Sequence, residues 1–330
     1  MLLDIDRHHD AALTLADVLA ARRRLAPHLV PTALLRHPRL SALIGTDVLV
    51  KHENHQPTGA FKVRGGINLV SQLTQDERDR GVIAASTGNH GQSVAYAAAL
   101  FGVRSVICVP EGANPVKVSS IRDHGAEVVV HGRDFDEARG HCQQLAGERG
   151  YRYIHSGNEP LLIAGVATAT LEILEADPLI EVLIVPVGGG SGAAGACIAG
   201  KAVRPSLEVI GVQSEAAPAG HRSWTARRLV EDRMETFAEG LATRTAFDLP
   251  QRILWAMLDE FVLVSDDDIR RAMVLMLEAT RNLVEAAGAA PLAAAIRLRD
   301  RLAGRRVALV ASGGNVSLDQ LEEVLSRRPR

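Results

Sequence analysis

Thr58-Gly59-Ala60-Phe61-Lys62-Val63-Arg64-Gly65-Gly66 sets a lysine between a Pro57-Thr58-Gly59 turn and a Gly-Gly step, beside an aromatic ring and ahead of an arginine. A lysine on a solvated helix needs none of these neighbours. A lysine that must add to a carbonyl as a neutral amine needs a fixed backbone and a partly apolar pocket that lowers its pKa. Such a lysine implies a scaffold that brings several loops to one point, and the surrounding sequence describes one. Short apolar runs at 48–50, 82–85, 105–109, 127–130, 182–187, 208–212, 261–264 and 306–311 read as strands. Helical patterns lie between them, among them 91–101, 115–124, 134–148, 161–175, 192–202, 266–283 and 288–303. Ser265-Asp266-Asp267-Asp268 marks one helix start, with Ser265 as N-cap and acids in the first turn. The βαβ rhythm predicts an α/β fold of mostly parallel sheets with helices on both faces.

With 330 residues the chain suits two domains, or one large α/β unit with an insertion. Hydrophobic residues make up 47% and charged residues 23%, the balance of a globular protein. A net charge of −2 gives no electrostatic argument for nucleic acid or for an anionic membrane surface. Cys108, Cys142 and Cys197 are far apart and form no CxxC, which fits a reducing cytoplasm and argues against a disulfide or zinc framework. The acidic start, Met1-Leu2-Leu3-Asp4-Ile5-Asp6, lacks the basic-then-apolar order of a signal peptide, and Arg327-Arg328-Pro329-Arg330 reads as a frayed tail. The longest uncharged run, 182–200, is interrupted by six glycines and Pro186. It reads as a buried strand, a glycine loop and a helix rather than a membrane span.

Two strand-to-helix turns carry groups suited to an anion. Ser86-Thr87-Gly88-Asn89-His90-Gly91 follows the strand at 82–85, so backbone N–H groups of a helix start converge there. The hydroxyls of Ser86 and Thr87 and the amide of Asn89 add side-chain donors; the same pattern also serves as an ordinary capped turn. Gly188-Gly189-Gly190-Ser191-Gly192 follows the strand at 182–187, and its four glycines let the backbone close round a phosphate. Two rival readings of this region need weighing, of which only the first stays open. Gly190-x-Gly192-x-x-Gly195 fits the dinucleotide fingerprint of a nicotinamide-dependent oxidoreductase, with Glu215 at the spacing of a ribose-binding acid. Gly195-x-x-x-x-Gly200-Lys201 resembles a P-loop, although Ala202 stands where a Mg²⁺-binding hydroxyl is needed. Ser312 in Ala311-Ser312-Gly313-Gly314-Asn315 either faces a ring nitrogen or turns the chain, and Glu285 is either a site carboxylate or a solvated helix end.

Pro31-Thr32-Ala33-Leu34, Lys51-His52-Glu53-Asn54 with 58–65, Ser86-Thr87-Gly88-Asn89-His90, the loop at 188–192 and Ser312-Gly313-Gly314-Asn315 follow one another across nearly the whole chain. Together they resemble the threonine/serine dehydratase branch of the fold-type II pyridoxal-phosphate enzymes, the tryptophan synthase β-subunit superfamily. The resemblance implies two α/β domains, a large cofactor-binding one of residues 1–50 and 154–330 and a small substrate-side one of residues 51–153. It implies pyridoxal 5′-phosphate as cofactor and a homodimer. In that frame Lys62 holds the cofactor as a Schiff base and then acts as acid and base at the substrate α-carbon. Phe61 packs on the cofactor ring, Asn89 bonds its 3′-oxygen, Gly188, Gly189, Gly190, Ser191 and Gly192 bind its phosphate, Ser312 meets its ring nitrogen, and Glu285 lies near the ring. Ser86, Thr87, Asn89 and His90 surround the substrate carboxylate.

The implied reaction is β-elimination of water from a 3-hydroxy amino acid, giving a 2-oxo acid and ammonia. A neutral hydroxyl at Ser312 does not hold a ring nitrogen protonated as an aspartate does, so prompt loss of the β-hydroxyl is favoured over transamination. Thr87 stands where serine racemases of the family carry a serine as second-face acid/base, which disfavours racemisation. Glu215 remains from the family's divalent-cation site, but His221 stands where a second acid is expected, so no metal is assigned. The length leaves no room for the regulatory domain of biosynthetic threonine deaminases, and isoleucine feedback is not expected. Arg244 aligns with a substrate-side loop and either pairs with a second substrate carboxylate, as in 3-hydroxyaspartate, or is a solvated arginine. Threonine and serine are the default substrates, with phenylserine-sized ones open. A cofactor-carrying protein without turnover is the non-enzyme alternative.

Overall fold

The computed structural model describes residues 13–327; residues 1–6 and the last three residues of the tail lie outside the described residues. Among the described residues ten strands form two sheets: β1 (Leu34–Arg36), β2 (Asp47–His52), β3 (Val82–Ala85), β4 (Ser105–Val109), β5 (Glu127–Val130), β6 (Arg152–Tyr153), β7 (Val182–Pro186), β8 (Glu208–Ser214), β9 (Glu260–Val264) and β10 (Arg306–Ala311). The larger sheet has the order β1-β2-β10-β7-β8-β9 and the smaller β5-β4-β3-β6. Every neighbouring pair is parallel except β1 with β2.

The strand sequences explain the order. β7, β8 and β10 are near-continuous apolar runs, buried on both faces as a central parallel strand must be. β5 (Glu-Val-Val-Val) is exposed at both ends and lies at an edge. The sequence did not announce β1 and β6, which are three and two residues long and too short to show a period. Their partners define them: Leu34 pairs with Lys51, and Arg152 with Val82. β2 runs through Lys51 and His52, which still pair with β10, so the larger sheet extends two residues past the expected division at residue 50.

Between the sheets pack the helices Lys62–Val70, Asn89–Leu100 and Pro160–Ala176. The Gly65-Gly66 step is what lets them meet. A Cβ on Gly66 would run into Ser93, and one on Gly65 would sit 2.9 Å from the Leu162 carbonyl oxygen. Beneath the Lys62 helix Arg64, 1% exposed, donates to Glu53 through Nε (2.7 Å) and to Glu172 through NH1 (2.6 Å). Lys51 completes this cluster by donating to the Thr32 carbonyl (2.8 Å) and to Glu172. Burial alone would raise the Glu53 carboxyl, but the Arg64 guanidinium outweighs it and holds the group below its usual range. The cluster joins β2, the Lys62 helix and the Pro160–Ala176 helix. No helix among the described residues is long and apolar enough to cross a membrane.

Candidate active site

Lys62 is the first residue of its helix. An isolated antiparallel bridge, Ala60 with Gly313, and the bond from Phe61 N–H to the Ser312 carbonyl (2.9 Å) fasten the preceding turn to the end of β10. The Lys62 side chain is half-buried. Its Nζ donates to Ser191 Oγ (2.8 Å) and to the Ser156 carbonyl (3.0 Å) and lies 5.5 Å from the centroid of the Phe61 ring. No carboxylate compensates for the loss of solvent around it, and burial lowers its pKa to about 8.

Two helix starts converge on this amine, one from each sheet. The helix Asn89–Leu100 follows β3 and begins at Gly88, which has no side chain to cap it. Its first closure is Gln92 N–H to the Gly88 carbonyl, so the N–H groups of Asn89, His90 and Gly91 precede the helical ladder. The helix Ser191–Val203 follows β7 and begins at Gly190, whose φ of +87° only glycine adopts without strain. There the N–H groups of Ser191, Gly192 and Ala193 precede the first closure, from Ala194 to the Gly190 carbonyl. The geometry thus holds two anion-binding helix termini, with the low-pKa lysine hydrogen-bonded to a residue of one of them.

Around them the expected site residues distribute as follows. Asn89 donates to Glu285 Oε1 (2.7 Å) and accepts from Asn315 Nδ2 (2.7 Å). Burial pushes the Glu285 carboxyl up to about 7, against the Lys117 charge and the Asn89 bond, which pull it down. Ser312 and Phe61 line one cavity together with Gly192, walled by Val166, Val185 and Val310. Gly188 packs against Gly240 and Gly189 against Phe247, so this loop has no room for side chains. Ser86 is buried and its Oγ accepts from Gly88 N–H at 3.3 Å, bracing the turn. Thr87 is partly exposed at the cleft.

His90 presents its backbone rather than its ring, and Arg244 takes the solvated alternative that the sequence left open. The His90 ring turns inward: its Nε2 lies 3.2 Å from the Ile154 carbonyl, and burial, then the Lys62 charge, lower its pKa to about 3. What His90 offers the cleft is its backbone N–H, at the helix start. Arg244 lies at the rim, 58% exposed, with Nε 3.7 Å from Asp136. The rival fingerprints have structural explanations. Gly195 lets its helix approach Ala167 of the Pro160–Ala176 helix, Glu215 accepts from Arg297 at 3.2 Å, and Lys201 is within its helix and binds Asp259 at 2.5 Å. Neither Ser156, which holds the lysine through a backbone carbonyl, nor His155 beside it was singled out in the sequence. The only signal was position: both follow β6, the strand that its sequence did not reveal.

These residues suit an aromatic, phosphorylated aldehyde: a low-pKa amine, a phosphate-sized helix terminus beside it, an aromatic ring and a hydroxyl on one cavity wall. Comparison with known proteins agrees. Residues 25–313 match the family described as "Pyridoxal-phosphate dependent enzyme". The chain belongs to that family. An L-threonine ammonia-lyase of Thermotoga maritima is 38% identical over 318 residues, 96% of this chain and 79% of that protein. The processed form of threonine deaminase isoform 2 from Solanum lycopersicum overlays with a TM-score of 0.90 at 31% identity, covering 94% of this chain and 91% of the other. Maize serine racemase overlays with a TM-score of 0.91 at 29% identity, covering 96% and 98%. In this pyridoxal-phosphate dependent enzyme, the helix start at Gly190 and Ser191 could hold a phosphate and Lys62 an aldehyde.

Proposed function

We propose that this enzyme is an ammonia-lyase that removes water from a 3-hydroxy amino acid, L-threonine or L-serine foremost, to give a 2-oxo acid and ammonia. The observation that carries the reading is the Lys62 amine, lowered to a pKa of about 8, set between one anion-binding helix start per sheet. When bound, pyridoxal phosphate supplies an electron sink for the substrate α-carbon. The N–H groups that open the Ser191–Val203 helix would hold its phosphate, and Phe61, Asn89, Glu285 and Ser312 would flank its ring. The N–H groups of Asn89, His90 and Gly91, with Ser86 and Thr87, would take the substrate carboxylate. Lys62, neutral for much of the time near pH 8, takes the α-proton at Nζ. The two sheets form a small substrate-side lobe and a large cofactor-side lobe, and the cleft between them limits water at the amine. The proposal includes a homodimer in the reducing cytoplasm, and light scattering tests the dimer.

The test is an absorption spectrum of the purified protein, repeated with L-threonine, L-serine and L-threo-phenylserine, with ammonia and D-serine assayed in parallel. An imine band that shifts with one of them as ammonia appears supports the reading, and Lys62→Ala removes both signals. A protein that stays colourless with added pyridoxal phosphate sinks it. Colour without ammonia from any of the three leaves a binding protein, and D-serine as the main product from L-serine makes it a racemase.

A further inference from the structure

We propose that His155 is an uncharged hydrogen-bond donor to the leaving hydroxyl on the substrate β-carbon, a catalytic residue that with Phe247 forms the wall reading the β-substituent. This rests on the dehydratase reading above. The tautomer follows from geometry. Nδ1 of His155 accepts the backbone N–H groups of Gly157 and Asn158, both at 3.0 Å. A nitrogen that accepts two N–H bonds has no lone pair left for a proton, so the ring proton sits on Nε2, on the opposite side of the ring. Protonating the ring would break both bonds. Burial, then the nearby charges of Arg139 and Lys62, oppose it as well and lower the pKa to about 4.

The ring is held from several sides. The backbone N–H of His155 donates to Glu159 Oε1 at 3.3 Å, and Arg152 fixes that carboxylate with two bonds of 2.9 and 2.8 Å. The Phe247 ring stands edge-on to it, with centroids 4.8 Å apart. Phe247 itself fills the space that side chains at Gly157 and Gly189 would occupy. This segment spans the two anion-binding helix starts: Ile154 accepts from His90 of one, and Gly157 lies against the glycine loop of the other. Between them the Ser156 carbonyl holds Lys62 Nζ at 3.0 Å. In the proposal a substrate with its carboxylate at Asn89 and its α-carbon at Lys62 carries its β-carbon past His155, whose neighbour Ser156 holds the amine. As the carbon–oxygen bond breaks, negative charge grows on the oxygen and an N–H donor there counts for most. His155 neither gains nor loses a proton in the step. The Cα–H and Cβ–O bonds break and a Cα–Cβ double bond forms; Lys62 takes the α-proton at Nζ and passes it to the departing hydroxyl, which leaves as water, so no net proton is gained or lost.

The test uses the cofactor-loaded enzyme and His155→Asn. The asparagine oxygen can replace Nδ1 as acceptor of the two loop N–H groups, while the donor on the far side is lost. On L-serine, kcat is expected to fall at least about tenfold, the worth of one well-placed donor. On β-chloro-L-alanine, whose leaving group needs no such donor, kcat stays within about twofold, and the visible spectrum is unchanged. Equal losses on both substrates, or none on serine, overturn the proposal. Should H155N fail to fold, His155→Gln keeps an N–H at reach; a serine-to-chloroalanine rate ratio that falls about tenfold or more in H155Q overturns it, and a preserved ratio supports it. Wild-type enzyme without colour or ammonia release instead sinks the dehydratase reading itself, which keeps the two failures apart.

Discussion

Lys62 and Glu285 are the two residues whose proton affinity the fold alters to most effect. An amine brought to about 8 by burial is half neutral near that pH. Cofactor-free protein is therefore expected to take up pyridoxal phosphate at a rate that rises through about pH 8 and then levels. A rate still climbing toward pH 10 by stopped-flow absorbance would mark an ordinary exposed lysine. Glu285 is the opposite case, a carboxyl whose folded pKa lies above its unfolded one because burial disfavours the charge. Its contribution to stability is full below about pH 4.5 and is lost as pH rises through about 7. In the cofactor-free protein Glu285→Gln should flatten the melting temperature across that window while leaving the acid limb below it in place. A wild-type and a variant curve that run parallel from pH 4.5 to 7 would contradict the assignment. At this scale the sequence was a partial guide. Lys62, Asn89, Ser191 and Glu285 do meet in one place, because each follows a motif with its own backbone signature. His90 faces inward because its ring reaches the Ile154 carbonyl, a matter of rotamer that no spacing encodes.

Among the elements, the Lys62 helix depends on what lies beneath it. Arg64 is sealed between Glu53 and Glu172, with Lys51 alongside. Replacing one member strands the others, and such losses cost about 3–5 kcal/mol. Arg64→Met should therefore lower stability by that order in chemical denaturation, well beyond the effect of breaking an exposed, solvent-screened pair such as Arg133 with Glu137. An effect of Arg64→Met below about 1 kcal/mol would mean that the cluster relaxes or hydrates when broken. The strands at 82–85, 105–109, 127–130 and 306–311 were legible to the residue because turn chemistry bounds each one. Helix ends were less so. The pattern at 266–283 stops at Thr280, where Arg281 takes the left-handed conformation (φ +61°), and the pattern at 288–303 divides at Leu298. Apolar periodicity carries across both breaks, so hydrophobic pattern alone overran them.

Across the whole molecule the two sheets are also joined in front of the cleft. Lys117, on the helix that follows β4, pairs with Glu239 of the larger sheet's loops, and Gln320 of the last helix donates to the same carboxylate at 2.7 Å. Lys117 is largely buried, so this link is less screened than the rim pair of Arg244 with Asp136. Lys117→Ala is expected to speed amide exchange in both 115–123 and 239–241 and to raise KM by a few fold, while Arg244→Ala leaves exchange unchanged. Faster exchange on one side alone would show that the pair steadies a single loop rather than joining two bodies. The general architecture was legible because parallel βαβ units dictate it, whereas a cross-cleft pair between residues 117 and 239 depends on how the bodies meet.

Phe247 occupies space left by two glycines at once, Gly157 in the loop after β6 and Gly189 in the loop after β7. The three positions therefore share one volume. A larger residue at 157 or 189 has somewhere to go only if 247 shrinks, and a smaller residue at 247 leaves a hole that either glycine could fill. Surveyed one substitution at a time, each of these positions will look intolerant. Surveyed in pairs, they should show strong positive epistasis, so that the shape of the pocket is inherited by the trio and not by any single member of it.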